Sequence, residues 1–225
     1  LMGMKGDFVV TKKSALTAFL LPALSLALAV SPAAAQPGSA WRDRMEQPQK
    51  VMDVTGVKPG MVIGEVGAGQ GYFTFWLGKG VGETGKVYAN DIDRSALDRL
   101  EARREAEKVD NIETILGGVE DPLFPAGALD MVFIVNAFHD LARPVELLAS
   151  LRPALKPGAI VVIMDRDPAK ISDPNRHFLT REQVEEIVGR SVFELIRTET
   201  FLSQHNLYIL KARRPALSGT EFNIN

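Results

Sequence analysis

Apolar runs rich in Val and Ile alternate with helix-period segments from Pro48 onward, the pattern of a parallel sheet flanked by helices. The runs predict strands near 61–66, 86–91, 112–116, 129–136 and 159–165. Helices are expected between them near 70–79, 94–109 and 143–155, preceded by one at 48–55 that has Pro48 in its first turn and Gly56 past its end. After Asp165 the pattern changes. A polar loop leads to a helix opened by a capping box of Thr180 and Gln183, then to two short runs, Phe193 to Thr200 and Asn206 to Lys211. Too few residues join those runs for a parallel crossover, so they predict an antiparallel hairpin. The fold class is therefore α/β: a Rossmann-like, doubly wound sheet of five parallel strands plus an antiparallel C-terminal hairpin, with helices on both faces.

Two similar turns, Lys58-Pro59-Gly60-Met61 and Lys156-Pro157-Gly158-Ala159, each feed a strand, with Pro and Gly suited to the centre of a type II turn. The stretch Gly80-Val81-Gly82-Glu83-Thr84-Gly85-Lys86 imitates a phosphate loop. Val87 stands where Ser or Thr is required and a strand follows, so it reads as a turn.

Ahead of the fold, Lys5, Lys12 and Lys13 precede an apolar run from Ala15 to Val30, and Ala33, Ala34 and Ala35 follow. That order reads as a secretory signal in residues 1–35 with cleavage after Ala35, which places the mature chain outside the cytoplasm, in the periplasm. The run is short beside the roughly 20 residues of a membrane span. An uncleaved leader at the inner membrane, or retention in the cytoplasm, stays open as the alternative, and it is the only membrane association expected. The domain then spans 36–213, and 214–225 is a tail without periodicity.

Composition narrows the chemistry. Among 225 residues there are 26 basic and 28 acidic side chains and no cysteine. Nucleic acid is not an expected partner, and disulfides, thiolate metal sites and cysteine nucleophiles are excluded. Oligomeric state is not legible.

The motif with chemical content follows the first strand: Glu65-Val66-Gly67-Ala68-Gly69-Gln70-Gly71. Glycines there let the chain turn sharply and bring backbone N–H groups against a ligand, and the helix N-terminus behind them favours its negative end. At the end of the second strand stands Asp91, where a carboxylate can accept both hydroxyls of a ribose. Together these predict an adenosine-bearing ligand. The dinucleotide fingerprint fails because Tyr72 occupies the place of its third glycine, which argues against NAD-linked oxidoreduction.

Glu65-x-Gly67-x-Gly69-x-Gly71, Asp91, the Lys156-Pro157-Gly158 turn and the terminal hairpin resemble the class I S-adenosylmethionine (SAM) methyltransferases, closest to their small ubiquinone-biosynthesis-like branch. The resemblance implies SAM as cofactor, with Glu65 among the cofactor-binding residues, the loop Gly67, Ala68, Gly69 and Gly71 holding the methionine part, Asp91 the ribose and Gly118-Val119-Glu120 the adenine. Many relatives carry an acid where Gly118 stands, which leaves backbone N–H groups of Val119 or Glu120 to serve instead. The expected activity is methyl transfer to a small-molecule acceptor. An exported protein that binds SAM or S-adenosylhomocysteine without catalysis stays open.

Strand four ends at Asn136-Ala137-Phe138-His139-Asp140, at the rim where ligands of open α/β sheets bind. Asn136 is expected at the cofactor. His139 is the candidate proton acceptor, with its alternative a histidine that caps the next helix; Asp140 is a possible orienting partner. Relatives place a histidine where His177 stands, facing the acceptor pocket. His205, at the hairpin turn, is expected to be structural or solvated and far from the crevice. No metal is expected, because no histidine pair has ligand spacing and Asp140, Asp165 and Asp167 do not obviously converge. Phe73 and Trp76 read as core, and Trp41 and Met45 as part of a cover over the cofactor.

Overall fold

The computed structural model describes residues 39–172 and 177–214. The leader, its cleavage site and the tail beyond Arg214 lie outside the described residues. Seven strands form one sheet in the order β3-β2-β1-β4-β5-β7-β6. Strands β1 (Val62–Val66), β2 (Lys86–Asp91), β3 (Ile112–Leu116), β4 (Leu129–Val135) and β5 (Leu155–Arg166) are parallel. The hairpin of β6 (Phe193–Glu199) and β7 (His205–Ala212) is antiparallel, and β7 inserts between β5 and β6.

The central strand β4 shows why the sheet is buried on both faces. Its alternate residues Met131, Phe133 and Val135 join one apolar cluster with Ile63, Phe73, Leu77 and Leu100. Val132 and Ile134 join the other, with Leu147, Leu148, Leu151, Val184 and Val188. The period-two side-chain geometry of a strand thus divides one apolar run between two helical layers. The first layer includes α2 (Pro48–Thr55), α3 (Tyr72–Val81) and α4 (Arg94–Glu107); the second, α5 (Pro144–Leu151) and α6 (Arg181–Gly189). Phe73 is buried and Trp76 packs against the first cluster, as expected of core residues.

Three details differ from the sequence expectation. The helix expected to run to 155 stops at Leu151 and tightens into a 3₁₀ turn over Arg152–Ala154, where Pro153 has no N–H for the α-helical ladder. The Lys156-Pro157-Gly158 segment does not precede β5 but lies within it, as an irregularity between the pairs Leu129↔Leu155 and Met131↔Ile160, with Gly158 at φ +84°. Lastly, Ser39–Glu46 forms a further helix, α1, ahead of α2. The turn over Lys58–Met61 and the capping box of Thr180 and Gln183 are both present. The phosphate-loop imitation closes as a turn, with Gly85 N–H donating to the Gly82 carbonyl at 3.1 Å.

Candidate functional site

Strand order reverses between β1 and β4, because the chain runs from β1 to β2 and β3 on one side and to β4 and β5 on the other. A crevice forms beyond the carboxyl ends at such a switch point. Two segments line it: the glycine loop 67–71 leaving β1, and residues 136–140 leaving β4.

The loop's three glycines have different reasons. All have positive φ, at +72° for Gly67, +55° for Gly69 and +85° for Gly71. A Cβ on Gly67 would lie 2.5 Å from the Ala137 methyl, and one on Gly71 would strike Leu100 and Phe75. Those two let neighbouring elements close together. A Cβ on Gly69 would meet no protein atom within 4 Å. Gly69 therefore borders open space, which is what a ligand cradle requires. Its N–H donates to Asp91 Oδ2 at 2.8 Å, while Oδ1 of Asp91 accepts from Asp93 N–H at 2.9 Å. A carboxylate has about four lone-pair positions. Asp91 keeps capacity for a diol beside the loop, as the sequence reading requires.

Glu65 sits behind the loop. It is 2% exposed, and its Oε2 accepts from Thr74 Oγ at 2.5 Å, joining β1 to α3. Burial pushes its pKa up to about 8 against the opposing Thr74 bond. Its carboxyl shapes the loop from within the protein. Gly118 donates its N–H to the Asp121 carbonyl at 2.7 Å, which leaves Val119 and Glu120 as the backbone donors of that segment. Beside them, Ile92 and Leu116, at the ends of β2 and β3, are large exposed apolar side chains.

Sequence reasoning missed a polar chain across the crevice. Asn136, at φ +51°, donates from Nδ2 to Glu46 Oε1 at 3.0 Å, and its Oδ1 lies 2.9 Å from His205 Nε2. Arg42 donates to the same Glu46 oxygen at 2.7 Å and stacks over the Tyr72 ring, whose hydroxyl donates to Asp43 at 2.6 Å. Helix α1 thus reaches the crevice through Arg42, Asp43 and Glu46, while Trp41 is half exposed. Tyr72 is the first residue of α3.

His205 corrects the expectation of a residue remote from the crevice. Antiparallel pairing sets it opposite Arg166, at the carboxyl end of β5, and it is 1% exposed. Burial and the Arg166 charge depress its pKa to about 4, so its ring is neutral. Two buried atoms of this polar network, Glu46 Oε2 and His205 Nδ1, have no hydrogen-bond partner among the described residues. Buried polar atoms are rarely left unpaired. SAM carries a ribose diol and a methionine ammonium and carboxylate; Asp91, the loop N–H groups and the unpaired Glu46 oxygen fit such a molecule.

The rim histidine is held by Asp165. Its carboxylate accepts the His139 backbone N–H at 2.9 Å and lies 2.8 Å from ring Nδ1. Asp165, and not Asp140, is therefore the orienting partner; Asp140 stands 3.3 Å from Nε2. Burial disfavours charge on His139, but the Asp165 bond and charge, with Asp140, outweigh it and hold its pKa above the ordinary imidazole value. His177 joins the group, its ring centroid 4.8 Å from that of His139 and its Nε2 3.7 Å from Asp140. Phe178 lies edge-on to both rings. The expectation that the acids do not converge is thus corrected for Asp140 and Asp165. Asp167 turns away, accepting from Asn206 at 2.7 Å and from Ala169 N–H.

Comparison with known proteins agrees with this geometry. Residues 64–163 match the family model described as "Methyltransferase domain". The chain is 29% identical over 115 residues to the ubiquinone/menaquinone biosynthesis C-methyltransferase UbiE of Escherichia fergusonii, and equally so to that of Salmonella arizonae. Each match covers 51% of this chain and 46% of the relative, so the chain spans about half the length of the curated relatives it matches. Among solved structures it resembles a SAM-dependent methyltransferase from Aquifex aeolicus, at 25% identity and a TM-score of 0.70, covering 75% of this chain and 92% of that one. The PH0226 protein of Pyrococcus horikoshii, at 16% identity and a TM-score of 0.65, shares the fold over 80% of this chain and 93% of its own. Residues 64–163 thus match a methyltransferase-domain model, and the chain shares its fold with a SAM-dependent methyltransferase of known structure.

Proposed function

We propose that the protein transfers the methyl group of SAM to a small-molecule acceptor that enters beside His139 and His177. The observation that carries this reading is the juxtaposition at one switch point of an open-faced glycine, Gly69, bonded to Asp91, with a histidine whose Nδ1 is fixed by Asp165. SAM supplies an electrophilic methyl on a sulfonium, so positioning the acceptor in line with it provides much of the acceleration. Gly67–Gly71 bind the methionine part and Asp91 the ribose. Ile92 and the Gly118–Glu120 segment flank the adenine, and Glu46 faces the ammonium. Asp165 holds the Nδ1–H tautomer, so Nε2 of His139 is the atom that meets the acceptor and, for an acceptor with an acidic proton, takes it. Only residues 167–180 separate β5 from α6, which leaves little material there to recognise a macromolecule.

Titration calorimetry with SAM and S-adenosylhomocysteine tests the cofactor half. Asp91→Ala should weaken binding about 10- to 100-fold, the worth of hydrogen bonds to a charged group. No heat from the wild type would sink the reading. Tritiated methyl transfer over an acceptor panel tests the rest: His139→Ala should lower kcat while SAM affinity stays nearly constant. Tight binding with no turnover on any acceptor would favour a non-catalytic binding protein.

For residues 1–35 we propose export, on the order of basic, apolar and small-residue segments. Fractionation of the native host with N-terminal sequencing tests it. Recovery from the cytoplasm with the leader attached would refute it.

A further inference from the structure

We propose that His139, Asp140 and His177 form a binding site for one divalent cation of the zinc type at the mouth of the acceptor crevice. Each residue presents one ligand atom, and these atoms lie within 4.8 Å of one another. The two spacings through the carboxylate are 3.3 Å from His139 Nε2 to Asp140 Oδ2 and 3.7 Å from His177 Nε2 to Asp140 Oδ1. A tetrahedral ion with bonds of about 2.0–2.1 Å separates its ligand atoms by about 3.3 Å. The two spacings through Asp140 are close to that separation, and rotation of the exposed His177 and Asp140 side chains would bring the whole set, within 4.8 Å here, onto one ion.

The surroundings match those of a built site. Asp165, 4% exposed at its side chain, bonds His139 Nδ1 and so turns the Nε2 lone pair toward Asp140 and His177. A carboxylate behind a ligating histidine fixes its tautomer and raises its basicity. Access is open on the other side, since the side chains of His177 and Asp140 are 55% and 64% exposed. Two imidazoles and one carboxylate suit zinc and its first-row neighbours better than magnesium or calcium, which prefer oxygen. Three protein ligands leave a fourth position for an oxygen of water or of the acceptor, as in catalytic zinc sites.

Site and methyltransferase reading are separable. The cation claim stands on three side chains and their shared support, whether or not SAM binds. It changes the role of Nε2, which can take a proton or a metal but not both; with the ion bound, activation of the acceptor passes to the metal as a Lewis acid.

The test uses the full chain without a polyhistidine tag. After treatment with chelator and its removal, zinc chloride titration by calorimetry should show one equivalent bound. Cobalt substitution should give the intense visible bands of a four- or five-coordinate ion. His177→Ala should weaken zinc at least 10-fold with an unchanged melting temperature, since that ring is half exposed. Asp165→Asn should weaken it about 10- to 100-fold without removing a ligand. Wild-type protein that binds no stoichiometric zinc overturns the proposal. Zinc affinity within twofold of wild type in both His177→Ala and Asp140→Ala does so too, since it would mean an adventitious ion only. SAM calorimetry on the same samples reports the cofactor reading independently.

Discussion

Asp165 holds His139 at two points, accepting its backbone N–H at 2.9 Å and lying 2.8 Å from its ring Nδ1. One buried carboxylate at the end of β5 thereby sets both the path of the chain leaving β4 and the direction of the ring. In Asp165→Asn the amide oxygen can still accept from the ring, but the amide nitrogen then confronts one of two backbone N–H groups, that of His139 now on Oδ2 or that of Arg166 now on Oδ1. The variant should lose about 1–3 kcal/mol of stability, the usual cost of mispaired buried donors. Long-range ¹⁵N spectra of the imidazole should show the Nδ1–H form in the wild type and a mixture in the variant. An unchanged tautomer would mean that Asp165 does not orient the ring.

Gly67 and Gly69 should separate folding from binding. Both hold positive φ, so alanine strains either backbone by roughly 1–2 kcal/mol. At Gly67 the new methyl also meets Ala137 at 2.5 Å, whereas at Gly69 it points into open space. Gly67→Ala should melt several degrees below Gly69→Ala. Gly69→Ala should keep the fold and lose most SAM affinity, because its methyl occupies the cradle. Equal SAM affinity in Gly69→Ala and wild type would remove that loop face from the binding site.

Helix α1 should tighten when cofactor binds. It reaches the crevice through Glu46 to Asn136 and through Asp43 to the Tyr72 hydroxyl. Amide hydrogen exchange over residues 39–46 should slow on adding S-adenosylhomocysteine. Tyr72→Phe, which deletes one of the two ties, should speed cofactor release severalfold. Exchange that ignores the ligand would show that α1 is no cover.

The strands were legible because Val- and Ile-rich runs between turn residues leave little choice of structure, and Gly67, Gly69 and Asp91 because each answers a backbone or charge requirement at a strand end. The polar chain across the crevice was not. Helix α1, Ser-Ala-Trp-Arg-Asp-Arg-Met-Glu, is polar and has no apolar stripe to mark a buried face, yet it buries Glu46 through hydrogen bonds. His205 looked remote because it begins a hairpin strand. Since β7 runs antiparallel to β5, its first residue lies at the carboxyl end of the sheet, beside Asn136. Convergence of Asp140, Asp165 and His177 on His139 joins segments up to 38 residues apart, a distance no local pattern spans.

Glu65 should make the apoprotein less stable as pH rises from about 5 to 8. Burial lifts its carboxyl from an ordinary 4.5 to about 8, opposed by the Thr74 bond and the Arg42 charge and supported by the Asp91 and Glu46 charges. An acid whose folded pKa is raised binds its proton more tightly in the native state. Its contribution is therefore fully present below pH 4.5, where both states are protonated, and is lost as pH rises through the folded pKa of about 8. Above that value both states are ionised and the native one holds a buried charge, a cost on the order of several kcal/mol. Glu65→Gln keeps the shape, and its amide oxygen can still accept from Thr74 Oγ, but it has no proton to lose. The melting temperature of Glu65→Gln relative to wild type should climb steadily between pH 5 and 8 and level off above it. A difference that is the same at pH 5 and pH 8 would show that Glu65 is already ionised in the native protein, paired with a cation such as Arg42.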